Sequence, residues 1–261
     1  TFTIEGMTWV KEELAKFQNE FSQSFNLTID PMALAKSIEV YNHNSELMTR
    51  LSGLRTLDNP RLTGTEFFKI SVANSAVRKE YANEQIEKIL QELETNDMYK
   101  HENVKARLLL VGSSVDNPNF ISILEHAVAL IVADTICTGV RSFYKDHLWK
   151  APLNLTSKKD PLDELIQKVY LRTFCPRMMN SHPQRLQFVK DQIKQAKIDG
   201  VILQRIEFCD LHGCENALYE HILEDEWNIP VLSLDREYFL GDTGRLRTRV
   251  EAFLEQLGRS Q

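Results

Sequence analysis

Cysteine is scarce in this sequence, with four residues among 261, and no two of them form a Cys-x-x-Cys pair. So few cysteines in a chain of this length exclude the disulfide framework that holds small secreted domains together. We expect a cytoplasmic protein, and in that reducing compartment the thiols would serve as metal ligands, catalytic groups or core residues.

Long apolar runs and an excess of positive charge are also lacking. No segment reaches the ~20 apolar residues that a membrane-spanning helix needs, and the N-terminus does not resemble a secretory signal. The formal net charge is −6, whereas a nucleic-acid surface requires a basic stripe. The sequence therefore predicts neither a membrane nor a nucleic acid as a partner.

Common catalytic and nucleotide-binding motifs are absent as well. The chain has no Gly-x-Gly-x-x-Gly fingerprint, P-loop lysine, Gly-x-Ser-x-Gly elbow or His-Glu-x-x-His motif. The turn Gly112-Ser113-Ser114 could bind a phosphate through backbone amides. Without a supporting motif, a plain connection between a strand and a helix is the better interpretation of this turn.

Residues 1–104 show the pattern of packed helices, with large apolar side chains recurring at spacings of three and four. Asp30-Pro31 has the Asp and Pro typical of a helix start. Most of these stripes are expected to form core, and one face is expected to bind a partner subunit. The predicted helices are Trp9–Phe25, a helix from Asp30-Pro31 to Asn59-Pro60, Glu66–Ala76 and Lys79–Glu94.

Residues 105–261 alternate between short apolar runs and helical patterns. The predicted strands are Leu108–Val111, Ala129–Ala133, Val201–Phe208 and Val231–Leu234. The predicted helices begin near Asn119 and cover Pro161–Arg172, Pro183–Lys197, Asn216–Trp227 and Asp242–Leu257. This alternation predicts an α/β domain with a doubly wound, four-stranded parallel sheet of the flavodoxin-like or Rossmann-like type, in the order 2-1-3-4.

Three cysteines fall near one edge of the predicted sheet. Cys137 follows the second strand, Cys209 ends the third, and Cys175 precedes the proline that stops a helix. The carboxyl ends of parallel strands share an edge, where α/β proteins bind their ligands. Thiolates that arrive from several parts of a chain suit an iron–sulfur cluster, and we expect Asp134 and Asp210 to lie nearby.

Two alternatives stay open at this point. Cys209, His212 and Cys214 could form part of a zinc site, although zinc would need a fourth ligand. Free cysteine is also among the most buried residue types and often only packs in a core. For Cys214, at the start of a predicted helix, packing is the preferred interpretation.

Several segments resemble the C-terminal domain of one enzyme family, the iron–sulfur subunits of 2-hydroxyacyl-CoA dehydratases and benzoyl-CoA reductases. The similar segments are RLLLVGSSV, ALIVADTICTGVRSF, YLRTFCPRM, DGVILQRIEFCD and IPVLSLDREYFLGDTGRLRTRVEAFLEQL, with PRLTGTE and YNHN in the helical region. The resemblance covers nearly the whole chain, and the last two of the five longer segments are the most specific.

The resemblance implies a subunit that carries a [4Fe–4S] cluster and pairs with a related second subunit or with itself. It also implies an ATP-dependent iron–sulfur activator protein that supplies one low-potential electron. In the dehydratases this electron makes a ketyl radical of the acyl-CoA thioester, and in the reductases it begins reduction of an aromatic ring. Cys209 matches a cluster ligand of the family, and Cys137 and Cys175 match cysteines found in some of its branches.

The sequence differs from the family in one respect: family members have a further N-terminal α/β domain that supplies cluster cysteines. We expect the chain to be either a fragment of such a subunit or a naturally short relative. The alternative function is a non-catalytic interaction subunit that has the fold and lacks the cluster.

Overall fold

The structure is a computed structural model that describes residues 3–125, 129–143, 160–170, 175–239, 241 and 243–259. Its helices are α1 (Ile4–Ser24), α2 (Pro31–Thr56), α3 (Gly64–Ala76), α4 (Lys79–Thr95), α5 (Pro118–Leu124), α6 (Pro161–Tyr170), α7 (His182–Gln195), α8 (Asp210–His221) and α9 (Thr243–Arg259). Its strands are β1 (Ala106–Gly112), β2 (Ala129–Asp134), β3 (Gly200–Ile206) and β4 (Val231–Arg236). None of the described helices is long and apolar enough to cross a membrane.

The strands form one parallel sheet in the order β2-β1-β3-β4. This confirms the predicted fold class and strand order. The register sets Leu110 opposite Asp134 of β2 and Ile202 of β3. The carboxyl ends of the strands therefore lie along one edge, which we call the rim and define by the strand ends Gly112, Asp134, Ile206 and Arg236.

Both faces of the sheet are buried, as expected of parallel strands. On one face Leu108, Leu110 and Ile202 belong to a core shared with residues of α2–α5 and α9. On the other face Leu109 and Leu203 pack with residues of α7 and α8. Successive residues of a strand point to opposite faces, so the continuous apolar run of β1 supplies both cores.

The predicted helix start at Asp30-Pro31 is confirmed, because Asp30 caps α2 by accepting from the Ala33 amide at 2.9 Å.

The helical region is joined to the sheet by specific hydrogen bonds. At the start of α3, the amide of Gly64 donates to Glu125 Oε1 at 2.7 Å, and the same oxygen accepts from the Ile131 amide of β2 at 2.9 Å. One core therefore extends across residue 104, and the division into regions 1–104 and 105–261 stays a prediction.

The largest difference from the sequence prediction is at the end of β3. The strand ends at Ile206 rather than at Phe208, and α8 begins at Asp210 rather than Asn216. Phe208 has a positive φ of 65° and an exposed ring, so it forms the turn between strand and helix. Gly213 weakened the helical pattern of the sequence, because glycine is unfavourable inside helices.

Two smaller differences concern residues outside the described part of the chain. The predicted helix Pro161–Arg172 is described as far as Tyr170, and Arg172 lies outside the described residues. The last helix is described from Thr243 onward, so its predicted first residue, Asp242, also lies outside them.

Candidate functional site at the rim of the sheet

The loop that carries Cys137 folds around the carboxylate of Asp134. Asp134 Oδ1 accepts from the amides of Ile136 at 3.0 Å and Val140 at 2.9 Å. Gly139 approaches so closely that a Cβ there would lie 2.0 Å from the same oxygen. The loop can therefore close only with glycine at this position, and its closure leaves Cys137 exposed.

Asp134 is itself paired with a charge from the helical region. Arg55 Nη2 of α2 lies 2.8 Å from Asp134 Oδ2, and neither side chain has solvent-accessible surface (0%/0%). The guanidinium also stacks on the Phe67 ring, 3.6 Å from its centroid. The sequence predicted Asp134 near the thiols. Its carboxylate is buried and holds the Cys137 loop by accepting from two amides of that loop.

Cys175 lies in a cationic environment. Burial raises the pKa of its thiol, but the 3.3 Å hydrogen bond from Arg177 Nε and the charges of Arg177 and Arg141 outweigh burial and hold the pKa below its ordinary value. Arg177 is also within electrostatic reach of Cys137. Two of the three predicted thiols therefore share one arginine.

Cys209 occupies the junction of β3 and α8. Its amide donates to the Ile206 carbonyl at 3.0 Å, and its own carbonyl accepts from the Gly213 amide at 2.9 Å. Arg205, which is paired with Asp235, is close enough to interact electrostatically with Cys209 and with the exposed Asp210. A Cβ at Gly213 would lie 2.4 Å from Arg205 Nη1, so this glycine leaves room for the arginine.

A buried ion pair joins the Cys175 segment to the helix that begins after Cys209. Arg185 Nε of α7 donates to Glu215 Oε1 of α8 at 2.7 Å, and its Nη1 donates to the carbonyls of Cys175 at 3.1 Å and Met178 at 2.8 Å. Both side chains are over 90% buried, with 7%/8% exposure. Arg185 thus fixes the position of the Cys175 backbone relative to α8.

The sequence did not predict Arg185, Glu215 or Arg141 as site residues. They line a cavity of about 20 Å³ at the rim, together with Thr135, His212 and Tyr219. Arg185 precedes the buried Phe188 and Val189 by three and four positions, so it lies on the apolar face of its helix. The sequence signal that could have identified Arg185 was a charged residue on the apolar face of a helix.

His212 lines the same cavity and is expected to make the protein less stable in acid. Burial, the largest cause, and the charge of Arg141 lower the pKa of His212 to about 4. Between pH ~6.5 and ~4 the unfolded chain then binds a proton that the folded chain does not, so stability falls as the pH falls and stops falling below ~4.

Urea denaturation at a series of pH values would measure this effect. Between pH 7 and pH 4 the free energy of unfolding of the wild type should decrease on the order of 3 kcal/mol more than that of His212→Gln. Curves that run parallel for the two proteins would contradict a neutral, buried His212.

The structure contradicts the zinc alternative. No three His, Cys, Asp or Glu side chains of the described residues are arranged to hold a metal ion, and Cys209, His212 and Cys214 are all among those residues. Cys209 directly precedes α8, and on that helix His212 is buried whereas Cys214 is exposed. Packing of Cys214 in the core, the preferred interpretation, was therefore also wrong.

The turn Gly112-Ser113-Ser114 is occupied by contacts within the protein. The Ser113 amide donates to the Gln204 carbonyl at 3.1 Å, and the Ser114 carbonyl accepts from Arg236 Nη2 at 2.6 Å. Gly112 has a φ of 128° and lies so close to Gln204 that a Cβ would meet its carbonyl oxygen. These contacts support the interpretation as a connection from β1 toward α5.

The residue types at the rim suit an iron–sulfur cluster, but no three His, Cys, Asp or Glu side chains of the described residues, Cys137, Cys175 and Cys209 included, are arranged to hold a metal ion. Such clusters need thiolates from several directions, and Cys137, Cys175 and Cys209 come from three separate connections near the rim. Arg177 holds the pKa of the Cys175 thiol below its ordinary value, which favours the thiolate of Cys175. The assignment of the three thiols as cluster ligands stays a prediction.

The fold and site define a parallel α/β protein with cysteines along the carboxyl edge of its sheet. The model of one family, described as 2-hydroxyglutaryl-CoA dehydratase, D-component, matches residues 4–257. The chain belongs to this family of dehydratase subunits, which confirms the resemblance noted in the sequence.

The chain is also similar to two curated dehydratase subunits. The chain is 22% identical over 254 residues to the proposed dehydratase subunit YjiM of Escherichia coli (strain K12), covering 95% of this chain and 63% of the relative. It is 24% identical over 228 residues to the (R)-phenyllactyl-CoA dehydratase beta subunit of Clostridium sporogenes, covering 86% of this chain and 57% of the relative. The chain thus spans about three fifths of the length of these relatives.

Proposed function

We propose that this chain is the iron–sulfur subunit, or part of it, of an enzyme that removes water from 2-hydroxyacyl-CoA thioesters. The observation that carries the proposal is the family match over residues 4–257, in a chain that presents three cysteines near the rim. Dehydration is proposed rather than aromatic ring reduction, because both named relatives are described as dehydratase subunits.

Cys137, Cys175 and Cys209 would hold a [4Fe–4S] cluster. When bound, the cluster would supply single-electron reduction of the acyl thioester. The chain's own residues would prepare the site: Arg177 favours the thiolate of Cys175, and the Arg185–Glu215 pair holds the Cys175 segment against α8. Asp134 fixes the loop of Cys137 in the same way.

Partners belong to the same proposal. Both relatives are named as subunits, which supports pairing with a related second subunit or with a second copy of this chain. An ATP-dependent iron–sulfur activator would deliver the electron, and an acyl-CoA would be the substrate.

Electron paramagnetic resonance on cysteine variants tests the proposed ligands. After anaerobic reconstitution with iron and sulfide and reduction with dithionite, the wild type should give the signal of a reduced [4Fe–4S] cluster. Cys209→Ser should abolish the signal, because each missing thiolate removes a corner ligand.

Cys214→Ser is the matched control, since Cys214 is an exposed thiol that follows Cys209 by five residues and lies on α8. This variant should retain the wild-type signal. A Cys209→Ser protein with an unchanged signal would exclude Cys209 as a ligand, and a wild type with no signal would favour the non-catalytic alternative.

A further inference from the structure

Lys79 lines a cavity that plays no part in the function proposed above. The cavity has a volume of about 600 Å³, within the range of sites for small organic ligands. Its walls come from α2, α3 and the start of α4, from Leu165 of α6, and from the loop that contains Cys137 and Phe143. A side chain that can act as a nucleophile therefore borders a space large enough for an organic molecule.

The surroundings of Lys79 disfavour its charged form. Burial lowers the pKa of its amine, and no carboxylate contributes to the shift. Lys79 is also the first residue of α4, where the positive end of the helix dipole opposes a positive side chain. The centroid of the Tyr41 ring lies 5.9 Å from Nζ, near the outer limit of a cation–π contact, so the ring does little to stabilise the ammonium. A larger share of Lys79 is therefore neutral amine than of a fully solvated lysine.

The amine nitrogen is held at the wall of the cavity. Nζ donates to the carbonyl of Asn74 in the last turn of α3, and a neutral amine has the N–H donors for this hydrogen bond as an ammonium group does. Asn44 Nδ2 donates to Asn74 Oδ1 at 2.8 Å and to Asn83 Oδ1 at 2.8 Å, which joins α2, α3 and α4 beside the site. A hydrogen bond donated to a carbonyl leaves the lone pair of the neutral amine available for a bond to carbon.

The rest of the wall determines which electrophile fits. Leu34, Ile38 and Phe143 supply hydrocarbon surface, and Lys79 is the only charged residue among the described lining residues. A phosphate or carboxylate on the ligand would therefore find no second cation there once the amine has reacted. Lysine amines form Schiff bases with carbonyl compounds, and an apolar wall favours carbonyl compounds that have a hydrocarbon chain.

We propose that Lys79 is a nucleophilic amine that forms an imine with uncharged aldehydes that have an apolar chain. The nitrogen attacks the carbonyl carbon, a C=N bond replaces the C=O bond, and the carbonyl oxygen leaves as water with the two protons of the neutral amine. The apolar chain of the aldehyde then occupies the cavity. This modification site goes beyond the proposed function, because it requires neither a thioester nor a cluster.

Reductive trapping with two aldehydes tests the proposal. The protein without a cluster is incubated with hexanal or glyceraldehyde and sodium cyanoborohydride, which converts each imine to a stable secondary amine, and the labelled lysines are located by peptide mass spectrometry. Hexanal should label Lys79 about tenfold faster than Lys69, an exposed lysine of α3 outside the cavity, because a desolvated amine is the better nucleophile. Glyceraldehyde lacks an apolar chain, so its preference for Lys79 should be several-fold smaller.

Two variants separate the nucleophile from the cavity. Lys79→Arg retains the charge without a nucleophilic amine, so labelling of this peptide should be lost while labelling of Lys69 is unchanged. Leu34→Gln makes the wall more polar, so the preference of hexanal for Lys79 should fall to that of glyceraldehyde. The thermal midpoint of each variant, measured in parallel, establishes that it is folded.

The location of the adduct is tested at Cys137, which is exposed and lines the same cavity. Wild-type protein labelled with hexanal should react more slowly with iodoacetamide at Cys137 than unlabelled protein. Three results would overturn the proposal: equal labelling of Lys79 and Lys69 by hexanal, an equal preference for Lys79 with both aldehydes, or unchanged alkylation of Cys137 in the labelled protein. None of these measurements needs iron, so they are independent of the spectroscopic test of the cysteines.

Discussion

Asp134→Asn should destabilise the protein by about 3–5 kcal/mol, the range for removing one member of a buried ion pair. Asparagine can still accept the loop amides through its oxygen, so the substitution mainly removes the charge that balances Arg55. Arg55 has no solvent exposure, and its Nε and Nη1 have no hydrogen-bond partner among the described residues. Without the carboxylate, a buried guanidinium would be left with only Ser52 and the ring of Phe67.

Urea denaturation would measure this loss, with Asp58→Asn as the matched control. Asp58 also pairs with a cation, Lys197, but at 77%/67% exposure, so its loss should leave the free energy of unfolding nearly unchanged. The double variant Arg55→Met/Asp134→Asn should recover part of the stability, because it no longer buries an unpaired charge. An equal loss in both single aspartate variants would contradict the importance of burial.

Glu215→Gln is expected to have a comparable effect at the rim. It leaves Arg185 buried without its carboxylate, which should cost about 3–5 kcal/mol in the free energy of unfolding. Since Arg185 also holds the carbonyls of Cys175 and Met178, the segment before α7 should loosen. Hydrogen exchange of the backbone around Cys175 would then be faster than in the wild type.

Glu224→Gln provides the control, because Glu224 is an exposed carboxylate later in the same region of the chain. Its stability should remain within about 0.5 kcal/mol of the wild type. If Glu215→Gln left both the unfolding free energy and the exchange near Cys175 unchanged, Arg185 would not be the residue that positions this segment.

The strands and their order could be predicted because a buried parallel sheet leaves a local signature in sequence. Leu108–Val111 and Val201–Leu203 are continuous apolar runs, and the parallel connections between such runs follow handedness rules. The helix start at Asp30-Pro31 was equally local, since the cap contacts an amide three residues away.

The buried ion pairs could not be predicted in the same way. Arg55 and Asp134 are 79 residues apart, and Arg185 and Glu215 are 30 apart. Their pairing depends on the tertiary fold, and a single sequence shows only that each arginine lies on an apolar helix face. The start of α8 was missed for a local reason, because Gly213 obscured a helix whose first turn follows Cys209.

A cavity bordered by α2, α3, α6 and the Cys137 loop also could not be predicted from the sequence pattern. Leu34, Ile38 and Tyr41 have the spacing of an ordinary packed helix, and they were interpreted as core. The structure places them around a space of about 600 Å³ instead. Whether an apolar stripe packs in a core or borders a cavity depends on the elements opposite it. Here those elements are α3, α6 and the Cys137 loop.

The iron and acid-labile sulfide content of the anaerobically prepared protein is the most direct test of the iron–sulfur assignment. We predict about four iron and four sulfide per chain, as one [4Fe–4S] cluster requires, and a loss of both in Cys209→Ser. Less than about one iron per chain after anaerobic reconstitution, with the protein folded, would contradict the assignment of Cys137, Cys175 and Cys209 as cluster ligands.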